Sequence, residues 1–127
     1  MVQFVESLKD YLVSLGHGPF AVGNLPDSPR DIIAIYDTGG SPTELDENLP
    51  GSPEEIAIQF RSRNKSQAAA RDALLAIQAD LHKLTGVNLG DWTIYVSVAT
   101  DRPAVLTREI KEGWSLVSNY EITARAN

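Results

Sequence analysis

The chain has 127 residues, of which 43% are hydrophobic and 22% are charged, so it is long and apolar enough to bury the core of one domain. It contains no cysteine, which excludes disulfides and thiolate metal sites, and its net charge of -6 argues against a dedicated nucleic-acid-binding protein. Charged residues interrupt the apolar pattern of the first fifteen positions, so we expect a soluble chain with no signal peptide, membrane span or membrane partner.

The first predicted element is an amphipathic helix over residues 2–15. Its apolar residues recur at spacings of 3 and 4, as the buried face of a helix requires. They are Val5, Leu8, Leu12 and Leu15. Gly16 suits the position just beyond the helix end, and Pro19 prevents the helix from continuing.

Two strands are predicted next. Residues 31–36 form a short continuous apolar run, which is typical of a strand buried on both faces. Residues 55–61 alternate instead, with Ile56, Ile58 and Phe60 on one face. These two segments are predicted to be neighbours in one sheet.

The segment between them, residues 38–54, fits no regular element. It carries three prolines, three glycines and four acids without periodicity, and its seventeen residues exceed the usual length of a connection. We therefore predict a single domain over residues 1–127 from whose sheet this acidic segment projects as a loop.

A long helix is predicted from Lys65 to Leu84. It would span about 30 Å, which is enough to cross a sheet. Asn64 or Ser66 could cap its beginning and Gly86 would end it. The apolar residues at helical spacing are Ala70, Leu74, Ile77, Leu81 and Leu84.

The last third of the chain reads as strands. Residues 93–100 alternate with Ile94, Val96 and Val98 inward, and residues 105–110 form a further short strand. Residues 114–125 extend for longer than most strands, and we expect them to overhang the sheet and lend an edge to a neighbouring copy. The grouping of strands predicts an α+β fold with a mostly antiparallel sheet and two helices packed on one face.

Asp37-Thr38-Gly39 after an apolar strand matches the active-site signature of aspartic proteases. That chemistry needs an all-β subunit and a second apolar strand ending in Gly-Arg or a similar pair, whereas this chain predicts a long helix. We therefore interpret Asp37 as a turn cap, with an aspartic protease subunit as a remote alternative.

No other pattern supports catalysis or a cofactor. His17 and His82 show no metal-ligand spacing, and the glycine-rich phosphate loops and the nucleophile elbow are missing from the sequence. We expect a binding or assembly module with no catalytic residue, no metal and no cofactor, rather than an enzyme.

Charge is distributed unevenly along the chain. Residues 27–55 hold eight acids and one base, whereas residues 61–71 hold four bases and no acid. Either this is a solvated surface with local ion pairs, or the two segments are complementary patches that meet between neighbouring copies.

Three short patterns follow one another along the chain. An aromatic-Asp-x-Gly-Gly turn at residues 36–40 follows a buried strand, a Gln-x-Arg pattern lies at residues 59–61, and Asn119 precedes Tyr120 in the last strand. Together with the acidic loop and the alanine-rich helix, they resemble the tail-terminator-like, or minor capsid, proteins of long-tailed bacteriophages over about residues 4–125.

The resemblance implies a subunit that assembles into a hexameric ring at the head-proximal end of the tail tube, where it stops polymerisation and contacts the head connector. Its partners would be copies of itself, the tail tube protein and the head connector or head-completion protein, and DNA would pass through the lumen without specific binding. The protein would be made in the host bacterial cytoplasm and reside in the virion at the head–tail junction.

Eleven residues are predicted to make subunit, tail or head contacts. They are Asp37, Gly39, Gly40, Glu44, Asp46, Glu47, Arg61, Arg63, Lys65, Asn119 and Tyr120. Two alternatives to a terminator stay open: a head-completion or stopper protein of the same neck, and a cytoplasmic adaptor unrelated to phages.

Overall fold

The computed structural model describes residues 3–42, 53–109 and 113–127, which form two helices and seven strands. In chain order these are α1 (Phe4–Ser14), β1 (Phe20–Val22), β2 (Ile32–Pro42), β3 (Glu54–Asn64), α2 (Gln67–Leu81), β4 (Leu84–Asn88), β5 (Trp92–Ala99), β6 (Ala104–Glu109) and β7 (Gly113–Ala126). The predicted α+β class is confirmed.

The strands form one sheet in the order β1-β2-β3-β7-β5-β4, with β6 also paired to β7. Only the β1–β2 pair is parallel among the described strands. The long strand β7 lies inside the sheet: β3 covers one of its edges, while β5 and β6 share the other. The predicted overhang of the last strand is therefore wrong, because neighbouring strands of the same chain pair with both of its edges.

Both helices pack on one face of the sheet, as predicted. α1 lies over β1 and β2, and α2 lies over β3, β5 and β7. They cover one continuous core that includes Phe60 and Tyr120, whose rings meet edge to face at a centroid distance of 5.4 Å. Such a pair contributes about 0.5–1.5 kcal/mol beyond the area it buries.

The helix ends follow local sequence rules, with one boundary moved. At the end of α1 the amide of Gly16 donates to the carbonyl of Val13 and the amide of His17 donates to that of Leu12, which is a Schellman motif. Ser66 caps α2 by accepting from the amide of Ala69 at 3.2 Å. However, α2 ends at Leu81 rather than Leu84, and residues 84–88 form an edge strand instead.

The predicted inward positions of Val96 and Val98 are wrong. The pairing of β5 with β7 shifts register between Ile94 and Val96, so Tyr95 is the extra residue of a β-bulge. Because one extra residue exchanges the two faces of a strand, Ser97 is buried while Val96 and Val98 are 36% and 39% exposed.

Candidate assembly surface

The face of the sheet opposite to the helices carries no helix among the residues that the structure describes, and we call it the open face. Alternation along each strand decides which residues it presents. On β3 these include Ala57, Gln59 and Arg61, and on β7 they include Asn119 and Glu121, because the intervening residues point into the core.

A continuous series of polar contacts crosses the open face from β2 to the turn after β5. The guanidinium of Arg61 lies 4.8 Å from the ring centroid of Tyr36, and its Nε donates to Gln59 Oε1 at 2.8 Å. Gln59 Nε2 donates to Asn119 Oδ1 at 3.0 Å, and Asn119 Nδ2 donates to Asp101 Oδ2 at 3.3 Å. We call these five residues the polar ladder.

The strand register produces this arrangement. Gln59 is directly opposite Tyr36 on one side and Asn119 on the other. Directly opposed side chains on one face of a sheet lie close enough to interact. The ladder has a cation, Arg61, near one end and an anion, Asp101, at the other, so it has no net charge but a strong polarity across the sheet.

An apolar patch formed by Val96 and Val98 lies beside the ladder. Val98 is paired with Glu121 and Val96 with Thr123, so the bulge in β5 brings both valines onto the open face next to β7. Both valines are partly exposed, so they add apolar surface next to the polar ladder. The sequence does not predict the exposure of these two residues, because their spacing matches an uninterrupted strand.

The sequence also does not predict the contact between Asp101 and Asn119. The sequence indicates only a turn at residues 101–103, and the two residues are 18 positions apart. The amide of Thr100 donates to the carbonyl of Asn119 at 2.9 Å, which holds the turn against β7. No sequence pattern signals this contact, since it depends on how β5 and β6 divide one edge of β7.

Arg63 is buried, with 6% of its surface exposed. Its guanidinium donates to the carbonyls of Arg30 at 2.8 Å and Pro29 at 2.9 Å, and also to that of Pro26. These contacts hold the segment before β2 over one end of the open face. A buried cation needs such acceptors, so the predicted contact of Arg63 with another subunit does not fit this geometry.

Tyr120 also lies away from the surface, with only 1% exposed on the helix-covered side of the sheet. Burial raises the pKa of its hydroxyl above the usual value, and the negative charge of Asp101 adds to the increase. Its predicted contact role does not fit this position, because the side chain belongs to the core.

Asp37 caps a backbone amide, as predicted, but within a strand rather than at its end. Its Oδ1 accepts from the amide of Gly39 at 2.9 Å, and Gly39 has a φ of 113° at a register shift between β2 and β3. β2 continues through Gly40 to Pro42, so the Asp-Thr-Gly sequence forms a β-bulge. The helices covering the sheet also distinguish the fold from an all-β protease subunit.

Two further groups of predicted contact residues remain. Lys65 is exposed, and its backbone amide donates to Asp31 Oδ1 at 3.3 Å. Glu44, Asp46 and Glu47 lie outside the described residues, as does the rest of the segment 43–52, while the flanks of the predicted loop are strand.

The histidines make structural contacts. His17 Nε2 lies 2.5 Å from Asp80 Oδ2, which joins the segment after α1 to the end of α2. His82 Nδ1 accepts from the amide of Ala99 at 3.0 Å. In the part of the chain that the structure describes, no three potential ligands are grouped to hold a metal, and neither helix is long and apolar enough to cross a membrane.

A family model described as bacteriophage tail terminator protein matches residues 8–125. The chain belongs to this family. The match confirms the resemblance noted in the sequence and identifies the terminator as a structural protein of the phage tail that associates with other phage proteins. A sequence comparison with curated proteins found no match.

Proposed function

We propose that the terminator assembles into a hexameric ring at the head-proximal end of the tail tube, where it stops tube polymerisation and joins the tube to the head connector. Family membership supports a role in the tail. The observation that carries the proposal further is the open face, where the polar ladder and the apolar patch lie side by side without a covering helix among the described residues.

Ring closure needs two different patches that meet head to tail. We place the basic patch at Arg61 and Lys65, at the end of β3, and leave Arg63 out because its guanidinium is enclosed by carbonyls. The acidic patch of the neighbouring copy is the segment with Glu44, Asp46 and Glu47. The net charge of -6 would also let DNA pass the lumen without specific binding.

Reversing the basic patch tests this pairing. We expect the double variant Arg61→Glu/Lys65→Glu to weaken self-association by about tenfold at low salt, because like charges then face each other. Analytical ultracentrifugation measures the change. Reversing Glu44, Asp46 and Glu47 to Lys in the same chain should partly restore assembly.

Lys83→Glu is the matched control, because Lys83 is an exposed cation at the other end of α2. Thermal unfolding of each variant checks that the monomer is intact. Unchanged association in the double variant, or an equal loss in the control, would contradict the charge pairing.

A further inference from the structure

The strand β6 is held to the rest of the described chain by one neighbour. It pairs with β7 from Ala104 to Glu109, and no other strand in the described ranges is hydrogen-bonded to it. Val105 and Leu106 are 42% and 47% exposed. An uncovered strand with apolar side chains and a free backbone edge is a template for another strand.

The arrangement around β7 leaves this edge open. β5 and β6 lie one after the other along the same edge of β7, with β5 on residues 120–126 and β6 on residues 113–117. β4 continues the sheet beyond β5 only. β6 therefore forms a second, separate edge at one end of the sheet.

A further free edge lies on the opposite side of the sheet. β1 pairs with β2 only at Ile33–Ile35, so β2 has no described partner on that side from Asp37 to Ser41. The other edges are less suited to pairing: β1 has only three residues, and the exposed residues of β4 are Thr85, Gly86 and Asn88, none of which has a large apolar side chain.

We propose that β6 of one terminator pairs with the free edge of β2, at residues 37–41, of a second copy. This inference rests on the proposed ring, since edges on opposite sides of one sheet give a head-to-tail contact rather than a closed dimer. One pair of opposite charges can meet across this contact, because Arg108 lies on β6 and Asp37 begins the free part of β2. Pairing would withdraw Val105 and Leu106 from water.

Because the chain contains no cysteine, introduced thiols report the contact without background. We expect the double variant Thr38→Cys/Leu106→Cys, treated with a short bismaleimide, to give a series of cross-linked multimers of increasing size. A mixture of the two single variants should give dimers only. The control pair Thr38→Cys/Thr85→Cys, with the second thiol on the exposed edge of β4, should stay largely monomeric.

Three outcomes would overturn the proposal. Dimers of Leu106→Cys alone would show that β6 pairs with β6. Cross-linked multimers formed in equal yield by the control pair would show non-specific collision. If the Thr38→Cys/Leu106→Cys variant forms rings by electron microscopy but does not cross-link, the ring stands and this contact is rejected. Cross-linking in open filaments would instead support this contact and reject the ring.

A charge on the strand gives an independent measurement. Leu106→Lys should weaken self-association by at least about tenfold, because a lysine on an edge strand opposes pairing. Its melting temperature as a monomer should be unchanged, since Leu106 is already exposed. Unchanged association in this variant would contradict the proposal.

Discussion

Tyr120 occupies the buried face of β7, yet it carries a hydroxyl. The ring packs against Phe60, and the hydroxyl lies near the Ser118 side chain without forming a hydrogen bond of standard geometry. A buried polar atom without a partner costs roughly 1–3 kcal/mol. This residue therefore combines a stabilising aromatic contact with a destabilising polar group.

We expect Tyr120→Phe to stabilise the protein by about 1 kcal/mol at neutral pH, because the ring contact stays and the unpaired hydroxyl is removed. Urea denaturation measures the change in the free energy of unfolding. A loss of stability would show that the hydroxyl has a partner that contributes to the fold.

The same residue predicts a pH dependence. Burial raises the pKa of the folded-state hydroxyl, so above about pH 10 the unfolded chain releases this proton while the folded chain retains it. The contribution of Tyr120 is thus fully present below pH 10 and is lost as the pH rises further. The loss should be smaller in Tyr120→Phe than in the original protein when the free energy of unfolding is measured across this pH range.

At the scale of elements, the β6–β7 hairpin and the start of α2 meet at Gly113. Gly113 has a φ of 87°, and a Cβ atom there would collide with the carbonyl oxygen of Asn64 and with Cα of Lys65. The backbone of β7 can approach β3 at this point only because the residue has no side chain.

We expect Gly113→Ala to destabilise the fold by more than about 2 kcal/mol, because conformational strain and a clash with backbone add together. Gly90→Ala is the matched control: its φ is 99°, but no atom lies within 4 Å of the added Cβ. It should cost only about 1–2 kcal/mol. Equal losses in thermal or urea unfolding would show that the close approach to Asn64 can relax.

At the scale of the whole molecule, the sheet is asymmetric. Its covered face provides the core, and its open face and free edges are the surfaces at which we propose that other copies bind. Such a division suits a subunit whose assembly leaves its own fold unchanged, since no part of the core has to open.

We expect assembled terminator to bind one end of isolated tail tubes and to appear there as a sixfold ring by electron microscopy. The charge-reversed variant Arg61→Glu/Lys65→Glu should fail to cap tubes at the same concentration, because the proposed ring needs the contact between neighbouring copies that this variant weakens. Rings that bind DNA-filled heads and not tubes would instead identify a stopper protein of the neck.

Much of this fold follows from local pattern. Most of each helix face, the cap at Ser66, the buried run at residues 32–35 and the extent of the last strand are readable in the sequence, because each depends on local spacing or local capping. Leu15 and Leu84 are the exceptions on the helix faces: Leu15 is 44% exposed, and Leu84 lies beyond the end of α2. The family resemblance likewise rests on short patterns in a fixed order, and the match over residues 8–125 confirms it.

The class of fold, most of the buried faces and the family of the terminator thus follow from the sequence alone. Other features depend on contacts between distant segments. The bulge at Tyr95 turns Val96 and Val98 outward, carbonyl groups enclose Arg63, Asp101 contacts Asn119, and β6 rather than β7 has a free edge. The physical reason is that local pattern specifies which side chains are apolar, whereas register between distant strands specifies which of them meet.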